Sequence, residues 1–195
     1  EPLAAAEMAR TAHAVALQAG DRTAQVAALH ALGFAQNALA DPEVTATLRQ
    51  AIRLARRNGL REAEARARLA LAGALAQSGS IRGALREIDL ATDGLEQLER
   101  ARSEVFRLGL LYYSEEPYSE PRRSATALRA FRRHDEEIWA ARLLFNRGLV
   151  RTARGEIRRG LDDLAQARDL YEALDADLAV VDAEALRRRR VDDDA

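Results

Sequence analysis

The stretch that decides the fold spans residues 61–93 and reads REAEARARLALAGALAQSGSIRGALREIDLATD. Before Gly79, apolar or small residues recur at positions i, i+4 and i+7, and after Gly79 the same helical spacing starts again. Glycine ends a helix at little cost because it accepts the left-handed backbone conformation. The stretch therefore predicts two amphipathic helices joined by a tight turn. The two rows are Leu71, Leu75 and Ser78, then Ala84, Ile88 and Ala91.

This helix pair recurs along the chain at intervals of 36 to 40 residues, which indicates an internal repeat. Two packed helices approach closely only where a side chain is nearly absent, so a small residue is expected at each crossing. Two sets of small residues keep the interval, one in the first helix of each pair and one in the second. They are Gly33, Ala72, Gly109 and Gly148, and Ala12, Ala51, Ala91, Ala127 and Ala167.

The composition supports a helical chain and excludes several kinds of chemistry. Among 195 residues there are 42 alanines and only 5% aromatics, and because alanine is a strong helix former and a poor strand former, a β sandwich or barrel is excluded. All 30 basic residues are arginine, so there is no lysine nucleophile, Schiff-base lysine or P-loop lysine. The chain has no cysteine, which excludes thiol catalysis, disulfides and thiolate metal sites.

The repeats predict an all-α fold, an α-solenoid of antiparallel helix pairs with about ten helices in residues 1–190. Residues 191–195 form a charged tail. Because the array begins and ends on half-units, we expect the native protein to continue beyond it. The predicted units are a half-unit at 3–19, full pairs at 22–58, 61–93, 97–134 and 136–174, and a half-unit at 176–190.

At these repeat positions the chain resembles the tetratricopeptide repeat of the longer, roughly 40-residue kind. The expected tyrosine one turn after the Leu-Gly pair occurs only as Tyr112, and the closing proline of the family is missing. The resemblance implies a right-handed superhelix that presents a groove. It rests on Leu32-Gly33, Leu71-Ala72, Leu108-Gly109 and Arg147-Gly148 in the first helices, and on Ala84, Ile88 and Ala91 with Gly160, Leu164 and Ala167 in the second.

A narrower resemblance rests on residues 141–150, ARLLFNRGLV, followed by RGEI at 154–157. This stretch is similar to the repeat arrays that precede a caspase-like CHAT peptidase domain in actinobacterial proteins. The arginine-rich, lysine-free composition is typical of such a GC-rich actinobacterial source. Because the chain contains no cysteine, any peptidase activity would belong to another part of the protein.

No set of residues in the chain assembles a catalytic or metal site. His13, His30 and His134 lie in three different units, and none has the spacing that a zinc site requires. There is no G-x-S-x-G motif and no glycine-rich phosphate loop. We therefore expect no enzymatic activity, no catalytic residue, no metal ligand and no cofactor.

Charge and hydropathy limit the partners and the compartment. A net charge of −1 and a pI near 6.4 give no reason to expect nucleic acid or an anionic membrane. No apolar run approaches the roughly 20 residues of a membrane span, and no signal-peptide pattern is seen, so we expect a cytoplasmic protein. The 31 acids and 30 arginines predict a solvated surface with i,i+4 pairs such as Glu62–Arg66 and Glu64–Arg68.

The candidate binding site follows from the resemblance, because the first helix of each tetratricopeptide pair lines the concave groove. Phe106 and Phe145 lie one 39-residue period apart and should stand side by side, either in this groove or in the core between helices. Arg142 and Asn146 could bind a peptide carboxylate or backbone. The full set that we expect to line the groove and contact a partner is His30, Phe34, Asn37, Arg66, Leu69, Phe106, Leu110, Tyr113, Arg142, Phe145, Asn146 and Leu149.

The leading functional hypothesis is a non-catalytic scaffold that binds a protein or peptide ligand, as the regulatory or sensor array of a larger CHAT peptidase-like protein. One alternative is the sensor repeat array of a signal-transducing transcription regulator. Another is a self-association module that forms a homodimer through its end helices.

Overall fold

The computed structural model of the chain describes residues 1–114 and 121–174, and this part is built from helices without a strand. The prediction of an all-α fold is therefore confirmed. The predicted half-unit at 176–190 and the tail at 191–195 lie outside the described residues. The helices are α1 (Pro2–Gln18), α2 (Arg22–Ala38), α3 (Val44–Arg57), α4 (Arg61–Gln77), α5 (Ile81–Ala91), α6 (Gln97–Tyr112), α7 (Pro121–Arg133), α8 (Glu137–Ala153) and α9 (Ile157–Ala173).

The chain divides into two compact units, Glu1–Glu96 and Gln97–Ala195. In the first unit each helix from α1 to α5 packs on the next, and α2 also packs on α4. In the second unit α6 packs on α7 and on α8, α8 packs on α7, and α9 packs on α8. Contacts of each helix with its successor, together with contacts between alternate helices, are the packing of a helical repeat.

The core of the first unit joins α2, α3 and α4 through aliphatic and alanine side chains. Alanine takes a large share because helices packed this closely leave room for little else at their crossings. Its buried members are Leu29, Leu48, Ala51, Ile52, Ala67, Leu71 and Ala74.

The expected small residue lies at the crossing of two helix pairs but not of a third. A Cβ atom on Gly33 would lie 2.6 Å from Leu48 Cγ, and one on Gly148 would lie 2.7 Å from Leu164 Cγ. At Gly109 the nearest neighbour is instead Asn146 Nδ2 in α8, at 3.4 Å. Gly109 therefore makes room between α6 and α8 rather than between the two helices of its own pair.

Most interhelical turns contain one residue in the left-handed conformation. Glycine takes it at four turns, with φ between 69° and 84°. At two other turns Ala40 and Asp135 adopt the left-handed conformation with φ of 53°. This conformation costs more energy for a residue with a side chain than for glycine. The four glycines are Gly20, Gly59, Gly79 and Gly155.

Buried ion pairs link the two helices of three successive pairs, a feature that the charge pattern did not predict. One side chain of each ion pair lies on the first helix and its partner on the second. The pairs are Arg68–Glu87 at 2.6 Å, Glu104–Arg123 at 3.2 Å and Arg147–Asp163 at 2.6 Å.

The expectation that the charged residues form a solvated surface is wrong at these positions. Glu62–Arg66 is an exposed pair at 2.6 Å, as predicted, but Arg68 is only 5% exposed and bridges Glu64 in its own helix to Glu87 in α5. Because the surrounding positions carry mostly alanine, the long arginine stem fills the space beside them and its guanidinium reaches the next helix.

Candidate functional site

In the first unit the predicted site residues lie on α2 and α4, which pack together. Phe34 is 70% exposed, Arg66 is exposed, and Asn37 and Leu69 are half-buried. Burial, and secondarily the positive charge of Arg66, lowers the pKa of His30 below its ordinary value of 6.5. The structure thus brings His30 and Arg66 together across α2 and α4.

In the second unit, α6 and the turn after it carry three of the predicted residues. Phe106 is 37% exposed and Tyr113, just past the end of α6, is 77% exposed. The expected exposure of Leu110 is wrong, because its side chain is only 6% exposed. Helix α6 packs against both α7 and α8, so the covered arc of the helix is wider than the period alone suggests.

The predicted residues of α8 serve partly to hold the helices together. Asn146 Nδ2 donates a 2.9 Å hydrogen bond to the carbonyl of Val105, which ties α8 to α6 in the space beside Gly109. Phe145 and Leu149 are half-buried. The close ring pairs of the described residues are Tyr112–Tyr113 and Phe131–Trp139, and the side-by-side placement of Phe106 and Phe145 stays a prediction.

Arg142 belongs to a cluster of aromatic and arginine side chains that sequence reasoning missed. Its guanidinium lies 5.1 Å from the ring centroid of Trp139, and Arg102 lies 5.3 Å from the same ring. Arg142 also lies near Tyr171, where burial raises the pKa of the tyrosine and Arg142 opposes this rise. These contacts fix the direction of an exposed cation. The available signal was the single tryptophan of the chain, placed one turn before Arg142.

The exposed side chains of these helices and of the turn after α6 include the aromatic rings of Phe34 and Tyr113 and the guanidinium groups of Arg66 and Arg142. Across residues 1–114 and 121–174, no group of three or more His, Asp or Glu side chains is arranged to hold a metal ion. Nor does any helix in those residues combine the length and apolarity of a membrane span. Exposed aromatic rings beside guanidinium and amide groups suit contact with another chain.

No protein-family model matches the chain, and no curated protein sequence matches it. Neither comparison supplies a ligand or a catalytic role.

Proposed function

We propose that the chain is a non-catalytic scaffold of the tetratricopeptide type, a right-handed solenoid of antiparallel helix pairs that binds a protein or peptide. The repeat interval of 36 to 40 residues supports this fold. So do the three-residue links between α4 and α5 and between α8 and α9, because helices joined so briefly run back beside each other. Packing of α2 on α4, and of α6 on α8, follows the same plan.

The observation that carries the proposal is the exposure of Phe34 in the C-terminal half of α2. Its ring is 70% exposed although the chain has only four phenylalanines, and the half-buried His30 and Asn37 lie one turn away on either side. Large aromatic side chains supply much of the binding energy at protein interfaces when a partner covers them. An aromatic anchor between polar groups therefore favours peptide recognition at α2.

The test is a selection of peptides from a random displayed library on the full chain, followed by affinity measurements on the enriched peptides. Phe34→Ala should weaken binding at least about tenfold, within the range of an interface anchor, and leave the melting temperature unchanged. Leu90→Ala is the matched control, since Leu90 is 56% exposed on α5. Enrichment of no peptide, or equal loss in both variants, would contradict the proposal.

The larger assembly is proposed to be a cytoplasmic CHAT peptidase-like protein of actinobacterial type, with this chain as its regulatory or sensor array. The support is the resemblance at residues 141–157, which include most of α8. The alternative is the sensor array of a transcription regulator. The full-length gene separates them, because a His/Cys peptidase domain favours the first and a DNA-binding domain favours the second.

Self-association is a second candidate because α1 exposes an apolar face. Met8 and Val15, two turns apart on the same face of α1, are 72% and 60% exposed, while the residues that α1 buries are all alanine. A second copy could cover this row. Light scattering over a range of concentrations should then show a rising mass that Met8→Glu abolishes. A constant monomer mass in the unmodified chain would rule this candidate out.

A further inference from the structure

A small cavity of about 260 Å³ lies between α1, α2 and α3 in the first unit. His13 and Leu17 reach it from α1, Gln25 from α2, and Arg53 and Arg57 from α3. The volume is below the usual range for whole cofactors and drug-sized ligands, so it suits one chemical group rather than a large molecule. None of these groups belongs to the peptide-binding face around Phe34.

Two arginines place positive charge on the wall of this cavity, and no acidic side chain among its described lining residues balances them. Arg53 and Arg57 are exposed, stand one helical turn apart and form no ion pair within the described part of the chain. No acidic side chain is among the described residues that line the cavity. Helix α3 as a whole contains four arginines and no acid, in a chain whose net charge is −1. Helix α3 is therefore strongly cationic, although acidic and basic residues are almost equal in number over the whole chain.

The floor of the cavity includes a buried amide that is held in place. Gln25 is 2% exposed, its Nε2 donates to the carbonyl of Ala16 at 3.1 Å, and its Oε1 accepts from Arg22 at 3.0 Å. A primary amide nitrogen carries two hydrogens, so one N–H of Gln25 remains for another acceptor. Two arginines, a histidine and a glutamine on three helices thus line one cavity.

We propose that this cavity binds the phosphate group of a phosphomonoester. A phosphomonoester carries close to two negative charges at neutral pH and has three terminal oxygens that accept hydrogen bonds. Guanidinium groups match such oxygens with paired N–H donors, and one helical turn places the Cβ atoms of Arg53 and Arg57 about 5–6 Å apart. Two arginines beside an imidazole and an amide supply donors to several oxygens at once.

The rim of the cavity indicates what the phosphate is attached to. Leu17 is 57% exposed on α1 and Leu54 is half-buried on α3, and both line the cavity next to the cationic groups. An apolar group carried by the ester would cover these two side chains. The site therefore favours an ester with an apolar substituent over inorganic phosphate.

The test is calorimetric titration of the full chain with phenyl phosphate. We expect one site per chain, roughly tenfold weaker binding in Arg53→Gln and in Arg57→Gln, and weaker binding in His13→Gln. Arg49→Gln is the matched control, because Arg49 is exposed on the same helix one turn before Arg53 and does not line the cavity. All these arginines are exposed, so the variants should unfold at the temperature of the unmodified chain.

Two further titrations identify the molecule that carries the phosphate and separate this cavity from the proposed peptide-binding face around Phe34. A phosphoserine peptide that binds more tightly than phenyl phosphate would place the ester on a protein, and the reverse order would place it on a small molecule. Phe34→Ala should bind phenyl phosphate normally. Three results would overturn the proposal: no saturation by about 10 mM ligand, equal binding of dimethyl phosphate, or an equal loss in Arg49→Gln.

Discussion

At Gly148 the two helices of the last pair approach so closely that a methyl group has no room. A Cβ atom there would lie 2.9 Å from the backbone oxygen of Gly160 and 2.7 Å from Leu164 Cγ. Gly148→Ala should lower the free energy of unfolding by about 1–3 kcal/mol. Gly73 also lies within a helix but has no atom within 4 Å of its Cβ position, so Gly73→Ala should raise that free energy by roughly 0.5–1 kcal/mol. Urea unfolding measures both, and changes of the same sign would contradict the packing.

Glu64 makes the stability of the first unit sensitive to acid. Burial favours its neutral form, but hydrogen bonds from Arg68 and Arg56 outweigh burial and hold the pKa of Glu64 below its ordinary value of 4.5. A folded pKa below the unfolded one contributes stability that is present above about pH 4.5 and is lost as the pH falls through the folded value.

Glu64→Gln should therefore flatten the fall in the free energy of unfolding below about pH 5. Thermal unfolding across that range measures the effect. Glu62→Gln is the control, because Glu62 forms an exposed pair with Arg66 on the same helix. A pH profile of Glu64→Gln that follows the unmodified chain would show that Glu64 does not carry this dependence.

Between whole helices, Asp163 is the charge that joins α9 to α8. It is 3% exposed and accepts hydrogen bonds from Arg147 at 2.6 and 2.8 Å and from Arg151 at 2.7 Å. Asp163→Ala leaves two guanidinium groups without their carboxylate, one of them buried, and should cost about 3–5 kcal/mol of stability. Asp162→Ala, one residue earlier and exposed, should stay within about 0.5 kcal/mol. Equal effects in chemical unfolding would show that the buried pair does not stabilise the contact.

For the molecule as a whole, the division at residue 96 predicts that the first unit folds by itself. Residues 1–96 contain five helices, the core around Leu48 and Leu71, and the Arg68–Glu87 pair. In repeat proteins each element contacts mainly its neighbours, so such a segment keeps most of its contacts. Circular dichroism should show a helical fragment with a cooperative thermal transition. A fragment of residues 1–80, which lacks α5, should melt at a lower temperature. An unfolded 1–96 fragment would contradict the prediction.

The exposed surface of the candidate site could be predicted only in part. The resemblance to the tetratricopeptide repeat predicted that Phe34 and Arg66 are exposed, and both are. The predicted exposure of Leu110 is wrong, because α6 contacts two other helices and buries a wider part of its circumference than a single apolar stripe. The sequence alone also could not show that Asn146 donates a hydrogen bond to the carbonyl of Val105, because that contact joins residues 41 positions apart.

Residue order alone determined the helices, their short turns and the repeat interval, because helical spacing and glycine stops act within a few residues. Residue order cannot say which charges are buried. Arg66 and Arg68 each follow a glutamate by four residues, yet only Arg68 lies between two helices and reaches Glu87. The tertiary structure decided that difference, and it also decided that His13, Gln25, Arg53 and Arg57 share a cavity. The physical reason is that burial and long-range electrostatics depend on which helix faces lie against each other.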